Sequence, residues 1–499
     1  MPLFQLLLCL ITLGFGLLRL HYWVTRRNFI RQNDCQETPS LTGGAHFFGL
    51  DIVYLLFKWS KNGLEKLPLD KQFAFLGSTF KMQRSFRLII CTMDPRNIQS
   101  IFSLDAVSFG NHPLRHFAFS PLVGDGVMTM DGASHERARA LIRPIFSRTH
   151  IENEAVYNVH VQKLIDLLPK DGSTIDLQPL FERLDLDSST EFIFGESVAS
   201  LDAADSLFVP HKFPTAFNIA QKGMGVRLRM LQFDFLHRDK MFWESCRTIR
   251  QFVKESVQRA LLRRRKRVSP AEKSYVLVDN LIEATPDLGE IQDTLMNVFL
   301  PGHDTIGILL SNIFFHLARN RDVWHKLRQE VLGLTKITKS SLGRLEYIHH
   351  VINETLRLNP PVSNMTRIAL KDTTLPTGGG PKGNSPVFVP QGTILNSSFQ
   401  DLHRLRDIYG DDTEKWRPSR WEDLQLSNLA WKFLPFSGGP HVCPAKSLAL
   451  NRVAFTVAKI VRAVDRIENR DPVQEYVPAY KLVTASQNGV KVALYKTAP

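Results

Sequence analysis

Residues 436–445 read Phe436-Ser-Gly-Gly-Pro-His-Val-Cys443-Pro-Ala. An aromatic opens the segment and two glycines give it a tight turn. Apolar residues then recur at helical spacing through Leu448, Leu450, Val453, Val457 and Ile460, which predicts a helix over 444–463. A cysteine just ahead of a helix lies at the positive end of the helix dipole, which favours its thiolate. Glycines let backbone amides approach the sulfur, and hydrogen bonds of that kind tune the donor strength of a metal ligand. The arrangement suits a thiolate that holds a metal cofactor through one axial bond. The plainer reading is a buried cysteine at a loop–helix junction.

Three further segments belong with it. Leu295 to Leu317 is apolar on most sides and is expected to be a buried central helix, yet it contains Pro301-Gly-His-Asp-Thr305. Gly302 costs such a helix about 1 kcal/mol and Pro301 about 3 kcal/mol. Pro301 lacks an N–H and clashes with the preceding turn, so the ladder opens there and leaves room for a small molecule. Asp304 and Thr305 supply an acid and an alcohol beside that opening, a pair suited to moving protons. Glu354-Thr-Leu-Arg357 places two opposite charges on one helix face. Trp416-Arg-Pro-Ser-Arg420-Trp421 offers a second arginine that could cap the same glutamate. Taken alone, the last two are weak signals, since surface helices are full of such pairs.

In this order the four segments resemble the cytochrome P450 family of haem-thiolate monooxygenases. The family's F-x-x-G-x-x-x-C loop is matched by Phe436, Gly439 and Cys443. Its [AG]-G-x-[DE]-T helix is matched at Gly302, Asp304 and Thr305, and its E-x-x-R by Glu354 and Arg357 with Arg420 downstream. The resemblance implies a helix-rich triangular prism built around haem b, with Cys443 as the axial ligand of the iron and Phe436 and Gly302 beside the cofactor. Thr305 and Asp304 would relay protons during O₂ cleavage, and Glu354, Arg357 and Arg420 would form a structural triad. Arg139, in His135-Glu-Arg-Ala-Arg139, and Arg367 would pair with haem propionates. An NADPH-cytochrome P450 reductase would supply electrons to a face carrying Arg137, Arg143, Arg148, Lys446, Arg452 and Lys459.

Departures from the family pattern are specific. His135 stands where a tryptophan is usual and His441 where an arginine is common. Both can bond a propionate, but a permanent charge is lost, so weaker or pH-sensitive haem retention is expected. Pro301, Ile306, Pro444 and Ala445 also differ from the commoner residues. Phe48-Gly-Leu-Asp51, the run from Pro121 to Gly132 and Thr374–Pro381 resemble the membrane-bound fungal hydroxylases of alkanes and fatty acids. Relatives of that branch include tailoring oxygenases of fungal natural products, and either role fits. A redox-neutral dehydratase or isomerase, or a haem binder without turnover, is the competing reading; Asp304 and Thr305 argue against the former. Phe109, Leu114, Phe117, Phe119, Phe208, Phe213, Phe217, Phe233 and Phe235 fall where the family contacts substrate. For any one of them core packing is the stronger expectation.

The remaining features bound this reading. Helical periodicity dominates from about 130 to 360, and short strands and turns follow over 360–400, so the fold is mainly α with a minor β part. Five scattered cysteines without a CxxC pair exclude a disulfide framework and a zinc ribbon. Leu3 to Leu18 is almost wholly apolar and is followed by Arg19, Arg26, Arg27 and Arg31. This predicts an N-terminal transmembrane helix over 1–24, a hinge over 25–50 and a cytosolic haem domain over 51–499, held at the endoplasmic reticulum as a single-pass protein. The formal charge of +13 owes much to those four arginines and to the six cations of Arg259–Arg267. The bilayer and a reductase, not nucleic acid, are therefore the expected acidic partners, beside an apolar small-molecule substrate.

Overall fold

The computed structural model describes residues 2–41, 69–84, 86–146, 154–169, 171–202, 212–266, 276–424, 426–480 and 482–496. Phe48–Asp51, Arg148, Phe208 and Arg267 lie outside them. The main elements in chain order are α1 (Pro2–Gln32), β1 (Thr79–Arg84), β2 (Arg87–Thr92), α2 (His112–Val123), α3 (Gly132–Ile142), α4 (Glu154–Leu167), β3 (Asp171–Asp176), α5 (Leu177–Phe194), α6 (Lys212–Met230) and α7 (Lys240–Lys266). They continue with α8 (Leu288–Gly302), α9 (Thr305–Leu317), α10 (Arg321–Leu332), α11 (Glu346–Leu358), β4 (Asn364–Ala369), β5 (Thr373–Gly379), β6 (Ser385–Val389), β7 (Ile394–Ser398), α12 (Lys446–Ala463), β8 (Arg466–Asn469) and β9 (Lys491–Tyr495). The chain is helix-rich with a minor sheet part, and it divides into two compact units.

Of the described residues, the smaller unit comprises 2–41, 69–84, 86–109 and Thr366–Ser397. Its sheet runs β1-β2-β7-β4, with Phe109–Gly110 at the far edge, and β5 and β6 form a separate hairpin. β1 and β2 are antiparallel, whereas β2 and β7 are parallel, with Ile89 opposite Ile394. Helix α1 does not stop at residue 24 but runs on to Gln32. Its last turns dock within this unit. Arg26 grips Asp372 with two hydrogen bonds of 2.9 and 2.8 Å, and the Phe29 ring lies 5.6 Å from that of Phe388. Beyond the helix, Gln36 N–H donates to the Pro386 carbonyl and Leu41 N–H to that of Lys81. Within the expected 25–50 hinge, the described residues 25–41 make these bonds within the unit, at Arg26, Phe29, Gln36 and Leu41.

The larger unit, from Gly110 to Met365 and from Ser398 onward, contains most of the core. One apolar cluster joins α4, α5, α9, α10, α11 and α12, and a second joins α2, α6, α7 and α8. β3, β9 and β8 form its three-stranded sheet in that spatial order. Every residue of α9 from Ile306 to Leu317 is buried, which explains its apolar composition on all sides. Among the described residues, Leu288–Leu317 is long and apolar enough to cross a membrane, but most of it is buried inside the protein, as a core helix.

The helix expected over Leu295–Leu317, with its ladder opened at Pro301, is interrupted there into two helices. α8 ends at Gly302, His303 caps it, and Asp304 is the N-cap of α9. Pro301 removes one donor and Gly302 weakens the next turn, so the interruption falls directly after them.

Candidate active site

The cysteine loop is a compact turn at the N-terminus of α12. Gly439 sits at φ +65°, a conformation that strains a side chain, and Cys443 N–H closes the loop on the Phe436 carbonyl at 3.0 Å. The Ala445 amide hydrogen-bonds to the Cys443 sulfur and, with the nearby Arg139 and Lys446, pulls its pKa down; burial acts in the opposite direction and outweighs them, so the thiol lies above its ordinary value. The helix end alone therefore does not make Cys443 a thiolate. A coordinating metal would do so, because a thiol bound to a metal loses its proton.

Around this loop the structure gathers His135, His441 and Arg139. The two imidazoles face each other with centroids 4.0 Å apart, and Arg139 Nη2 donates to the Val442 carbonyl at 2.8 Å. Arg367 lies in the smaller unit, buried, with its guanidinium over the Phe102 ring at 4.6 Å. Sequence reading missed Arg115. Burial pushes its pKa down to about 10 against the pull of Asp131, and its Nη2 meets the thioether of Met365 at 3.3 Å. A cation in such surroundings favours an anionic neighbour. No sequence signal marked it, since Asp131 lies on a later turn and Met365 is 250 positions away.

These residues fit a haem. Among the described residues no group of three or more His, Cys, Asp or Glu side chains gathers to hold a metal ion, so Cys443 offers a single ligand and the other donors would come with the metal. Cationic and imidazole groups for carboxylates sit beside that ligand. At the helix break, Pro301 is exposed, and a Cβ built on Gly302 would meet nothing within 4 Å, so the break fronts open space.

Glu354, Arg357 and Arg420 form one buried cluster. Arg357 grips both Glu354 oxygens at 2.8 and 2.9 Å, and Arg420 Nε reaches Oε1 at 3.3 Å. Trp421 Nε1 and the Arg417 amide add two further donors to the same carboxylate at 3.0 and 2.8 Å. Arg357 Nη1 also donates to the carbonyls of His403 and Thr413. The i,i+3 spacing on α11 set up the pair. The polar atoms that satisfy it come from the chain between 403 and 421, which periodicity does not reveal.

Asp304 and Thr305 are adjacent but not bonded to each other. The Thr305 hydroxyl donates to the Pro301 carbonyl at 3.1 Å, the acceptor that the missing ladder bond leaves available. Asp304 accepts from Gln221 Nε2 at 2.6 Å through one oxygen and lies 2.7 Å from His303 Nε2 through the other. Burial alone would lower the His303 pKa, but Asp304 beside it and Asp185 farther off raise it above its ordinary value. Gln221 and His303 were not anticipated as parts of this site.

Several expected surface groups are placed otherwise. Arg452 is half-buried, with its guanidinium over Tyr157 and Phe192, so it is not part of an open cationic face. Arg137, exposed but paired with Glu290 at 2.6 Å, and the exposed Arg143 and Lys446 lie at the surface as expected, and Lys459 is half-buried. In the Arg259–Arg267 cluster, Arg259 and Arg263 both clamp Glu196, at 3.0 and 2.7 Å, while Arg264 and Arg265 remain exposed. Phe213 and Phe217 pack on Phe299 in the core, Phe109, Leu114 and Phe119 are buried, and Phe235 is exposed.

The model of the cytochrome P450 family matches residues 50–487. Cytochrome P450 52A12 of Debaryomyces hansenii is 34% identical over 484 residues, covering 92% of each chain. Cytochrome P450 monooxygenase himC of Aspergillus japonicus is 35% identical over 473 residues, 92% of this chain and 84% of that one. Cytochrome P450 monooxygenase apdE of Emericella nidulans is 32% identical over 489 residues, 95% and 92%. The family binds haem through a cysteine thiolate, works with a redox partner and acts largely on apolar substrates. A helix-rich body, one cysteine loop suited to a single axial bond, a buried Glu–Arg–Arg cluster and a match over most of the length converge: this chain belongs to the cytochrome P450 family and is a haem-thiolate monooxygenase.

Proposed function

We propose that this monooxygenase oxidises an apolar small molecule as a tailoring step of fungal secondary metabolism, with Cys443 as the axial ligand of haem b. The observation that carries the reading is the helix break: open space at Pro301 and Gly302, with Thr305 and Asp304 on its rim and phenylalanines packed behind it. When bound, the haem supplies O₂ activation, and a thiolate ligand favours O–O cleavage. The chain's own part is to fix and feed that chemistry. Arg139, His135, His441 and Arg115 are suited to hold the propionates. Phe436 and Gly302 are suited to leave room beside the ring. Thr305 Oγ1 and the Asp304 carboxyl are suited to hold and pass protons, while Phe217 excludes water behind them.

Exposed Arg143 and Lys446 suit an acidic NADPH-cytochrome P450 reductase. The apolar N-terminal part of α1 suits a single span in the endoplasmic reticulum membrane that leaves the haem domain, from about residue 51, on the cytosolic side. Resemblance to the fungal alkane and fatty-acid hydroxylases supports a second reading, terminal oxidation of those lipids.

Reduced-CO difference spectra of the parent and of Cys443→Ser test the ligation: a thiolate-type Soret band is expected in the parent and not in the variant. Mass spectrometry of microsomes fed alkanes, fatty acids and polyketides, with NADPH, then tests the substrate. A polyketide product heavier by one oxygen supports the tailoring role, and oxidation of alkanes or fatty acids alone favours the second reading. Rearranged or dehydrated product without NADPH consumption overturns both.

A further inference from the structure

The break between α8 and α9 leaves polar backbone groups that neither helix can satisfy. Residues at the start of α9 have N–H groups without carbonyls one turn earlier, and the carbonyl of Gly302 has lost its regular donor. Both are satisfied from α5, which crosses here at very short range: a Cβ on Gly307 would lie 2.9 Å from the Phe181 carbonyl oxygen. One turn along α5, Asp185 Oδ2 accepts from the N–H groups of Ile306 and Gly307 at 3.1 and 3.0 Å. One turn further, Ser189 Oγ donates to the Gly302 carbonyl at 2.9 Å. Phe181, Asp185 and Ser189 thus form one i, i+4, i+8 stripe on α5, facing both sides of the break. Asp185 and Ser189 are each almost fully buried, where a polar side chain is costly unless bonded.

We propose that Asp185 and Ser189 are positioning residues for Thr305. They act as a cap supplied from a neighbouring helix, holding the two half-helices at the separation that aims the Thr305 hydroxyl. A carboxylate placed against the first N–H groups of a helix also complements its dipole, which favours the aspartate at this end. Neither residue touches the reacting atoms. Their effect would pass through the first residue of α9, and the inference rests on the reading of Thr305 as a proton-relay group. Loss of the clamp should therefore leave O₂ consumption running while protons arrive at the wrong place. The balance then shifts from product plus water to hydrogen peroxide, with NADPH oxidised in both cases.

The experiment uses the full-length enzyme with its reductase and a substrate that it turns over. Product, NADPH and peroxide are measured for the parent, Asp185→Ala, Asp185→Asn, Ser189→Ala and Thr305→Ala. Asp185→Ala is expected to keep a thiolate-type CO spectrum while product per NADPH falls about tenfold, the consequence of a misplaced relay group. Asp185→Asn, which keeps one acceptor oxygen, is expected to recover part of that loss. Ser189→Ala is expected to lower product per NADPH about twofold to threefold, as for a single neutral hydrogen bond. Asp185→Ala combined with Thr305→Ala should be no worse than Thr305→Ala alone, since both act through one group. Parental coupling in Asp185→Ala overturns the proposal, as does full additivity in the double variant. If Asp185→Ala does not bind haem, Ser189→Ala decides: parental coupling there overturns the proposal. Parental coupling in Thr305→Ala instead overturns the relay reading itself.

Discussion

The imidazole of His403 accepts the backbone N–H of Leu434 at 2.8 Å, two residues ahead of Phe436, while its own carbonyl accepts from Arg357. The Glu354–Arg357 pair and the start of the cysteine loop thus share one residue.

This arrangement predicts acid lability. His403 must be neutral at Nε2 to accept that bond; burial, Arg357 and Arg404 hold its pKa down at about 3. His316, buried and bonded to Asn359, is held down at about 4, again chiefly by burial. Both folded values lie below the unfolded value of about 6.5, so between these limits the unfolded chain binds more protons. Stability is then fully present above pH 6.5 and falls as pH drops, by up to about 1.4 kcal/mol per pH unit for each group. Thermal midpoints measured from pH 7.5 to 5 should decline, and His403→Gln should flatten the decline. An equal slope in that variant would refute the assignment.

Within the Glu–Arg–Arg cluster, Arg420→Lys should be far from conservative. Lysine cannot reproduce a fork that serves the Glu354 and Asp412 carboxylates and the carbonyls of Tyr409, Asp412 and Lys415. Breaking one partner of a buried ion network costs about 3–5 kcal/mol. Haem content per milligram of purified protein is the measure, and a large drop is expected.

Gly307→Ala inserts one methyl group where α9 meets the backbone of α5, 2.9 Å from the Phe181 oxygen. Backbone yields less readily than a side chain, so the cost should be about 1–3 kcal/mol. Denaturant midpoints should fall accordingly.

Just beyond α5, Glu196 serves Arg259 and Arg263 of α7 and is two-fifths exposed. Glu196→Gln should lower stability by no more than about 1 kcal/mol, and the difference should shrink in high salt. Thermal unfolding at two ionic strengths tests this. A larger, salt-independent loss would point to a deeper role for the cluster.

Much of this was legible in the linear sequence, for physical reasons. The loop around Cys443 depends on glycine turns and a following helix, both local properties. Pro301 and Gly302 marked the interruption of the central helix because proline removes a donor whatever surrounds it. The spacing of Glu354 and Arg357 fixed their shared face. The apolar run of α9 announced burial on all sides.

Local chemistry did not extend to what meets these elements. Asp185 and Ser189 look like ordinary polar residues of α5 until the fold brings α9 within van der Waals distance. Arg452, spaced like a surface cation on α12, is half-buried because Tyr157 and Phe192 cover it. Asp304 was readable as an acid beside an alcohol, but its partners Gln221 and His303 are set by α6 and by the geometry of the break. The sequence by itself determined the cysteine loop, the family and the place where the helix opens, since each follows from covalent structure and near-neighbour spacing. Only the tertiary structure decided which distant side chains satisfy the opened helix and which charges are buried, because desolvation and hydrogen-bond partnership are properties of packed surroundings.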